Sequence, residues 1–450
     1  MDSRRATIVV DLGFGDSGKG TTVDFLTRSR GATFNVRFNG GAQAGHNVVT
    51  PEGLHHTFHQ FGSGTLAGAR TFLSRFHLFD PFSLMHEAEE LEKKGIGDPY
   101  GRILLDARAL VVTPFHKAVN RIEEAIRRPH EVHGTCGMGI GKTVDFAMAD
   151  PNLAVRARDL RTPLVLAEKL KKLQAALVMS APGLVIEEFS FTDGDPRNEQ
   201  LAEAQQILGD PKSPELFAEA YAEIGKRILI ADPGWFGKVL QENEVIFEGA
   251  QGVCLDQWYG FHPHTTWSTT TFENASTLLG DFGYAGMVEK LGVTRAYATR
   301  HGAGPFPTQD NDLFLPDPHN GHMGWQGRFR VGWLDLLMLR YAVKACNGID
   351  GLVMTHIDTF DRLVDQRVGT GYRLPDKNGT MISVLNPTFK QDVEYQQEMG
   401  KMLSTVAPIY SPVMKDADYP GVIASLLNVP LLLRSSGPTH KDKVWPGKEG

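Results

Sequence analysis

The residues of this chain that could do chemistry gather in glycine-rich segments. Gly13-Phe-Gly-Asp-Ser-Gly-Lys-Gly20 places a carboxylate, a hydroxyl and an ammonium on a backbone free to turn tightly. It fits G-x-x-x-x-G-K, a pattern in which backbone amides and a lysine surround phosphate oxygens. The pattern is weak alone and departs from the standard loop at Gly20, where a Ser or Thr hydroxyl usually meets magnesium. A metal here must be held differently, and Asp16 is the candidate ligand. Gly40-Gly-Ala-Gln-Ala-Gly-His46 sets an imidazole at the end of a second glycine turn. Four further segments carry polar side chains or free amides: Gly134-Thr-Cys-Gly-Met-Gly-Ile-Gly141, Phe247-Glu-Gly-Ala-Gln-Gly252, Thr299-Arg-His-Gly-Ala-Gly-Pro-Phe-Pro-Thr308 and Gly327-Arg-Phe-Arg-Val-Gly-Trp333. Singly each reads as an ordinary loop. Their combination does not.

Regular elements must bring these segments to one place. Ala6-Thr-Ile-Val-Val-Asp-Leu12 is nearly continuously apolar, as expected of a strand buried on both faces of a parallel sheet. A helix is predicted over Thr21–Arg28. Further strands are predicted at Thr33–Phe38, Arg102–Leu105, Val245–Phe247, Val293–Ala298, Gly351–Thr355 and Val429–Leu433. Leu334, Leu337, Met338, Tyr341, Ala342 and Ala345 share one helix face. Residues 197–231 read as a helical pair broken near Pro211 and Pro214, an excursion from the sheet. Alternating strands and helices, with no repeat or separating linker, predict a single large α/β domain over 1–440. It has a mostly parallel central sheet, flanking helices and that excursion. A polar, loose tail is expected over 441–450. Such open sheets bind ligands at the carboxyl ends of their strands, where the glycine segments fall.

Composition narrows the partners. Of 450 residues, 41% are hydrophobic and 22% charged, which excludes wholesale disorder. The 46 basic and 53 acidic residues leave a net charge of −7, unsuited to a nucleic-acid duplex or an anionic membrane but compatible with small anionic ligands. Cys136, Cys254 and Cys346 form neither a disulfide framework nor a C-x-x-C metal motif, pointing to a reducing compartment. With no apolar run near membrane length, a cytoplasmic protein is expected.

Taken in order, Gly-Asp-x-Gly-Lys-Gly, Gly-Gly-x-x-Ala-Gly-His, Phe-Glu-Gly-Ala-Gln-Gly and Thr-Arg-x-Gly-Ala-Gly-Pro-Phe-Pro-Thr resemble the adenylosuccinate synthetases. Gly-Trp-Leu-Asp, Leu-Arg-Tyr-Ala-Val and a weaker echo at Arg434-Ser-Ser-Gly-Pro438 extend the likeness. The resemblance implies a two-step ligation in which O6 of a 6-oxopurine nucleotide is phosphorylated and the amino group of aspartate then displaces phosphate at C6. It assigns Asp16 as the base for the N1 proton and, with the Gly45 carbonyl, as a Mg2+ ligand. His46 becomes the acid beside the transferring phosphoryl group. Ser17, Thr135, Gln251, Thr270 and Arg300 fall to the purine nucleotide, and Gly15, Gly18, Lys19, Gly20, His356, Asp358 and Gly437 to the phosphate donor. Arg328 and Arg330 carry guanidinium forks suited to the carboxylates of aspartate. A homodimer sharing its nucleotide site is also implied, with Arg156 the nearest counterpart of the family's trans-acting arginine.

Three departures stand out. Ser17 replaces the glutamate of the usual loop, His356-Ile-Asp358 replaces a guanine-reading Lys-x-Asp, and the aspartate loop, Gly324-Trp-Gln-Gly-Arg-Phe-Arg330, has fewer cations. They resemble the 2-aminoadenylosuccinate synthetases of viruses whose DNA carries 2-aminoadenine, which implies dGMP as substrate and ATP or dATP as donor, and host cytoplasm as the location if the source is viral. Guanine's exocyclic amine needs space and an acceptor, and a serine supplies both. Retained Asp358 speaks instead for GTP, because a carboxylate pairs with guanine N1–H and N2–H₂. The alternatives are a conventional synthetase using IMP and GTP, and an inactive nucleotide-binding regulatory homologue. The latter would be expected to lose Asp16, Lys19 or His46, and all three are present.

Overall fold

The computed structural model describes residues 4–126, 135–180, 191–192, 194–313, 315, 317, 325–414 and 417–446. Gly134 and Gly324, which begin two of the segments above, lie outside them. The strands are β1 (Arg5–Asp11), β2 (Phe34–Arg37), β3 (His46–Val49), β4 (His55–Phe58), β5 (Arg70–Leu73), β6 (Ile103–Asp106), β7 (Leu229–Ala231), β8 (Val245–Glu248) and β9 (Met287–Arg295). They continue with β10 (Ala298–His301), β11 (Phe329–Gly332), β12 (Gly351–Thr355), β13 (Arg367–Arg373), β14 (Met381–Ile382), β15 (Ala407–Pro412), β16 (Leu431–Ser435) and β17 (Lys443–Val444).

Ten of them form one sheet in the order β17-β16-β12-β9-β1-β8-β2-β5-β6-β7. Every pairing in it is parallel except that of β17 with β16. The α/β class and the mostly parallel sheet are therefore as expected. Strand β1 sits centrally between β8 and β9, and alternate residues face opposite cores. Ile8, Val10 and Leu12 pack on one side, while Val9 packs with Val23 and Leu26 of helix α1 (Lys19–Arg30) on the other. Burying each such side chain contributes ~1.5–3 kcal/mol, which is why the run is apolar on both faces.

Several elements differ from the sequence reading. The strand expected over Val293–Ala298 is two. Strand β9 begins earlier, at Met287, in a stretch whose exposed and half-buried residues hide the apolar signal, and β10 leaves the main sheet to pair antiparallel with β11. The helical pair is Arg197–Gly209 and Ser213–Arg227, packed on helices Pro114–Ile126 and Pro163–Ser180, but its last residues form the sheet edge β7. The C-terminal stretch is not a free tail over its described part, because Lys443–Val444 pairs with Arg434–Ser435. The hairpin β3–β4 and the small sheet β14-β13-β15 carried too few alternating residues to be read in advance. No described helix is long and apolar enough to cross a membrane.

Candidate active site

Loops at the carboxyl ends of β1, β2, β8, β9 and β12 enclose a cavity of about 990 Å³. The central position of β1, with chain-distant strands on both sides, makes this the place where the sheet opens for a ligand.

Asp11, the last residue of β1, shapes the glycine loop. Its carboxylate accepts the amides of Gly13 (2.8 Å) and Ser17 (2.9 Å) and the ammonium of Lys19 (3.0 Å). Gly15 (φ 95°), Asp16 (φ 60°) and Gly18 (φ 83°) then turn left-handed. For Asp16 this costs on the order of 1–2 kcal/mol and is held by the surrounding structure. The Asp16 carbonyl accepts from Nε of Arg295 at 2.5 Å, and its carboxylate Oδ2 lies 3.4 Å from Nε2 of His301. Gly20 has a packing reason: a Cβ there would stand 2.9 Å from Cβ of His46, so no Ser or Thr fits.

His46, at the start of β3, places Nδ1 2.6 Å from Oε1 of Glu248 at the end of β8. Glu248 also accepts the Ser63 amide at 2.9 Å and the Ser63 hydroxyl. Burial first, and then the Arg37 guanidinium, bring His46 down to about 4 against the pull of Glu248. Burial alone would raise Glu248, but Arg37, His46 and Ser63 overcome it and bring it to about 2. At pH 7 the imidazole is thus neutral beside a carboxylate, its Nδ1–H donating to Glu248 and its Nε2 left for the cavity it lines. An anionic phosphoryl group brought to Nε2 would favour protonation there.

Asp16, Gly15, Gly18, Lys19, Gly20, Gly45, His46, Thr135, Gln251, Arg300, His356, Asp358 and Gly437 all line this cavity. Gln251 (φ 55°) and Gln43 turn in amide atoms that are buried without hydrogen-bond partners. Each unsatisfied group costs about 1–3 kcal/mol, and that cost points to a polar ligand. Thr135 takes a hydrogen bond from Asn120 at 3.1 Å. His356 (φ 55°) lies with Nδ1 2.9 Å from Oγ1 of Thr355, and burial followed by Arg295 holds it well below the ordinary histidine range. Asp358 stands 3.8 Å from Arg362.

Other expected residues lie elsewhere. Ser17 lines a smaller pocket of about 40 Å³, together with Leu12, Phe306 and Met338, which adjoins the cavity through Phe14, Gly15, Arg295 and Tyr297. Thr270 is buried outside the cavity lining, its hydroxyl on the Gly252 carbonyl (3.1 Å) and its amide on Asp256 (2.5 Å). Arg300 reaches the wall, yet its guanidinium is engaged by the carbonyls of Ala303 (3.0 Å) and Pro305 (2.8 Å) and lies over the Phe14 ring. Burial, with Arg330 nearby, lowers it to about 9. Arg330 holds Gln309 (2.9 Å) and the Gly304 carbonyl (3.1 Å), Arg328 is exposed, and neither lines the cavity. Gly302, Ala303 and Gln326 do. Arg156 donates to the Arg108 carbonyl at 2.9 Å, away from the cavity.

Glu248, Arg295 and His301 were missed as site residues. Arg295 links the Asp16 carbonyl, the Tyr297 hydroxyl (2.8 Å) and Asp317 (2.9 Å). Glu248 and His301 stood within two of the glycine segments without being singled out, and Arg295 was a lone charge within the strand predicted over Val293–Ala298. For Mg2+, Asp16 and Gly45 bring hard oxygen donors to the cavity, and the described residues contain no cluster of three or more His, Cys, Asp or Glu able to hold a metal. A carboxylate and a carbonyl completed by substrate phosphates suit this ion.

Residues 8–444 match the family model described as adenylosuccinate synthetase. The chain is 32% identical over 453 residues to adenylosuccinate synthetase 1 of Pseudoalteromonas translucida, covering 97% of each. It is 34% identical over 381 residues to the adenylosuccinate synthetase of Anaeromyxobacter sp., covering 82% of this chain and 81% of that one. Among solved structures, the fully ligated adenylosuccinate synthetase of Plasmodium falciparum superposes with a TM-score of 0.77 at 23% identity, over 98% of this chain and 99% of that one. The succinoaminodeoxyadenylate synthetase of cyanophage S-2L, bound to dGMP and dATP, gives a TM-score of 0.52 at 14% identity, over 98% and 95%. These last two likenesses concern the fold.

Proposed function

Because the chain belongs to the adenylosuccinate synthetase family, ligases that join aspartate to a purine nucleotide, we propose that its own purine substrate is dGMP and its phosphate donor ATP or dATP. The observation that carries the ligase chemistry is the shared cavity of Asp16, the glycine-loop backbone and the His46–Glu248 pair.

A lactam carbonyl is a poor electrophile with no leaving group. In this reading the Asp16 carboxylate takes the N1 proton, O6 attacks the γ-phosphorus, the bond from that phosphorus to the β–γ bridging oxygen breaks, and the nucleoside diphosphate leaves. Nε2 of His46 faces the transferring group, with Glu248 fixing the ring. Lys19 leaves Asp11 for the phosphate oxygens, joined by loop amides. The neutral amino group of aspartate then attacks C6, the C6–O6 bond breaks with its electrons on the departing phosphate, and the nitrogen gives up one proton to water. Asp16 and the Gly45 carbonyl would hold Mg2+, which when bound neutralises charge on the phosphate oxygens.

Support for the 2-amino substrate comes from Ser17, His356 and the cation-poor loop. A glutamate at position 17 would add three heavy atoms to a side chain that is already buried among Leu12, Phe306 and Met338, and would bring a carboxylate into that apolar lining. The desolvation cost favours turning that carboxylate toward the polar cavity, where it would crowd a ligand, whereas Ser17 stays out of it. The second reading, IMP with GTP, is favoured by the 32% and 34% identities to adenylosuccinate synthetases. A homodimer and a cytoplasmic location accompany either reading.

The test is turnover of IMP, dIMP, GMP and dGMP against ATP, dATP and GTP, with aspartate and Mg2+. The expected result is the highest kcat/KM for dGMP with ATP or dATP. Preference for IMP with GTP would overturn the 2-amino reading. Binding without turnover in every pair would leave a regulatory homologue.

A further inference from the structure

One end of the cavity is bounded by His356, Asp358 and Thr359 on one side and by Ser435, Gly437 and Pro438 on the other. The second wall is the end of β16 and the irregular loop after it, and the C-terminal hairpin holds it from behind. The ammonium of Lys443 donates to the Thr439 carbonyl at 2.7 Å and reaches the Gly437 carbonyl at 3.5 Å. Asp442 accepts the amide (2.8 Å) and hydroxyl (2.7 Å) of Thr439, and its own carbonyl accepts the Ser436 amide at 3.0 Å. A Cβ at Gly437 would come within 2.7 Å of Cγ of Asp442, so only glycine allows this approach. From the other direction, the hydroxyl of Thr21 on α1 donates to the Pro438 carbonyl at 2.8 Å. Trp445 anchors the hairpin on Phe25 of α1, ring centroids 5.5 Å apart.

We propose that Lys443 is a positioning residue for the nucleotide base that enters this end of the cavity, acting by clamping the carbonyls of Thr439 and Gly437 from behind the wall. This rests on the reading above that the phosphate donor's base lies here. Lys443 does not line the cavity, so its effect is on the shape of the wall.

The charge of Lys443 gives the clamp a pH signature. Burial brings the ammonium from its ordinary 10.5 to about 8, against the pull of Asp442 and Asp24. The charged groups around it are Asp24 and Arg28 on α1, which pair at 3.1 Å, His440 beside Asp24 at 3.7 Å, and Asp442. His356 faces it across the loop, and Arg434 on β16 turns away to Asp418 at 2.6 Å. Above pH 8 the bonds to carbonyl lose their charge assistance, which roughly halves their strength. Folding stability moves the opposite way. Between about pH 8 and 10.5 the unfolded chain binds the extra proton, so this group's contribution rises with pH. Weaker donor binding above pH 8 would therefore not come from this group loosening the fold.

The experiment measures KM for the phosphate donor, the purine monophosphate and aspartate in wild type, Lys443→Met and Lys443→Arg, from pH 6.5 to 9. The expected result is a donor KM raised about five- to tenfold in Lys443→Met at pH 7, with the other two constants within about twofold and kcat little changed. In wild type the donor KM rises above pH 8, and in Lys443→Met it is flat. Lys443→Arg retains the charge and restores much of the affinity. Selective loss for the purine monophosphate instead would keep the clamp and overturn the donor's placement. Equal changes in all three constants, or none, in a folded variant would overturn the clamp itself. Should Lys443→Met not fold, Lys443→Gln removes the charge while keeping a polar side chain, and a donor KM there unchanged from wild type across the pH range would overturn the proposal.

Discussion

His46 and Glu248 meet 2.6 Å apart although 202 residues separate them in the chain, the histidine delivered by a two-stranded hairpin and the carboxylate by a central strand. With Arg37 holding the carboxylate ionised, the ring has one tautomer and one free nitrogen.

The first prediction concerns that pair. Glu248→Gln keeps the shape but removes the charge that selects the tautomer, so kcat should fall on the order of ten- to a hundredfold with substrate KM values little changed. Asp16→Asn and His46→Ala, which remove the proposed base and the group proposed to face the phosphoryl, should cost at least about a hundredfold each. Near-normal kcat in Glu248→Gln would reduce the pair to a structural contact.

Acid should destabilise the fold through its buried histidines. Burial brings His77 and His116 to about 3, and burial with Arg37 brings His46 to about 4, all below the ordinary 6.5. The unfolded chain therefore binds more protons than the native one below about pH 6.5, and stability falls as pH falls from there towards 4. Each histidine contributes a slope of up to about 1.4 kcal/mol per pH unit in that window. Urea unfolding at pH 7, 6 and 5 measures it, and a flat profile would contradict the neutral buried state.

Purine choice is tested at Ser17. Ser17→Glu should lower the ratio of kcat/KM for dGMP to that for IMP, by an amount on the order of 1–3 kcal/mol, since one small group in one pocket is at stake. A wild-type ratio below one would favour the conventional substrate. An unchanged ratio in an active variant would clear Ser17 of any part in selection.

Arg330 tests the aspartate loop. Its guanidinium braces the Gly304 carbonyl, next to the cavity-lining Gly302 and Ala303. Arg330→Leu should therefore raise the aspartate KM several-fold more than the donor KM, whether the arginine acts through that brace or swings to the carboxylate. The two are separated by Arg330→Lys, which keeps a charge but loses the fork. Recovery of the aspartate KM in that variant supports direct charge pairing. Equal effects on both substrates would remove Arg330 from aspartate binding.

The chain's own sequence was enough to place the glycine loop, the strand before it and the helix after it, because these depend on neighbours in the chain. An apolar run buried on both faces, glycines at left-handed turns and a lysine at the helix start are local properties. The order of the glycine segments likewise indicated the family before any geometry was known. Glu248, Arg295 and His301 could not be read in this way. Each acts through partners more than 200 residues distant, and only the parallel pairing of β8, β1 and β9 brings them together. The same holds for position 20, where glycine looked like a missing hydroxyl until the strand carrying His46 was seen to fill the space. Ser17 is the clearest division. Its identity in the loop was evident, but the direction of its side chain, behind the loop and out of the large cavity, was decided by Asp11 and Thr355 binding its backbone from two different strands. Local sequence determines which residues a turn contains, while the packing of distant strands determines which way they face.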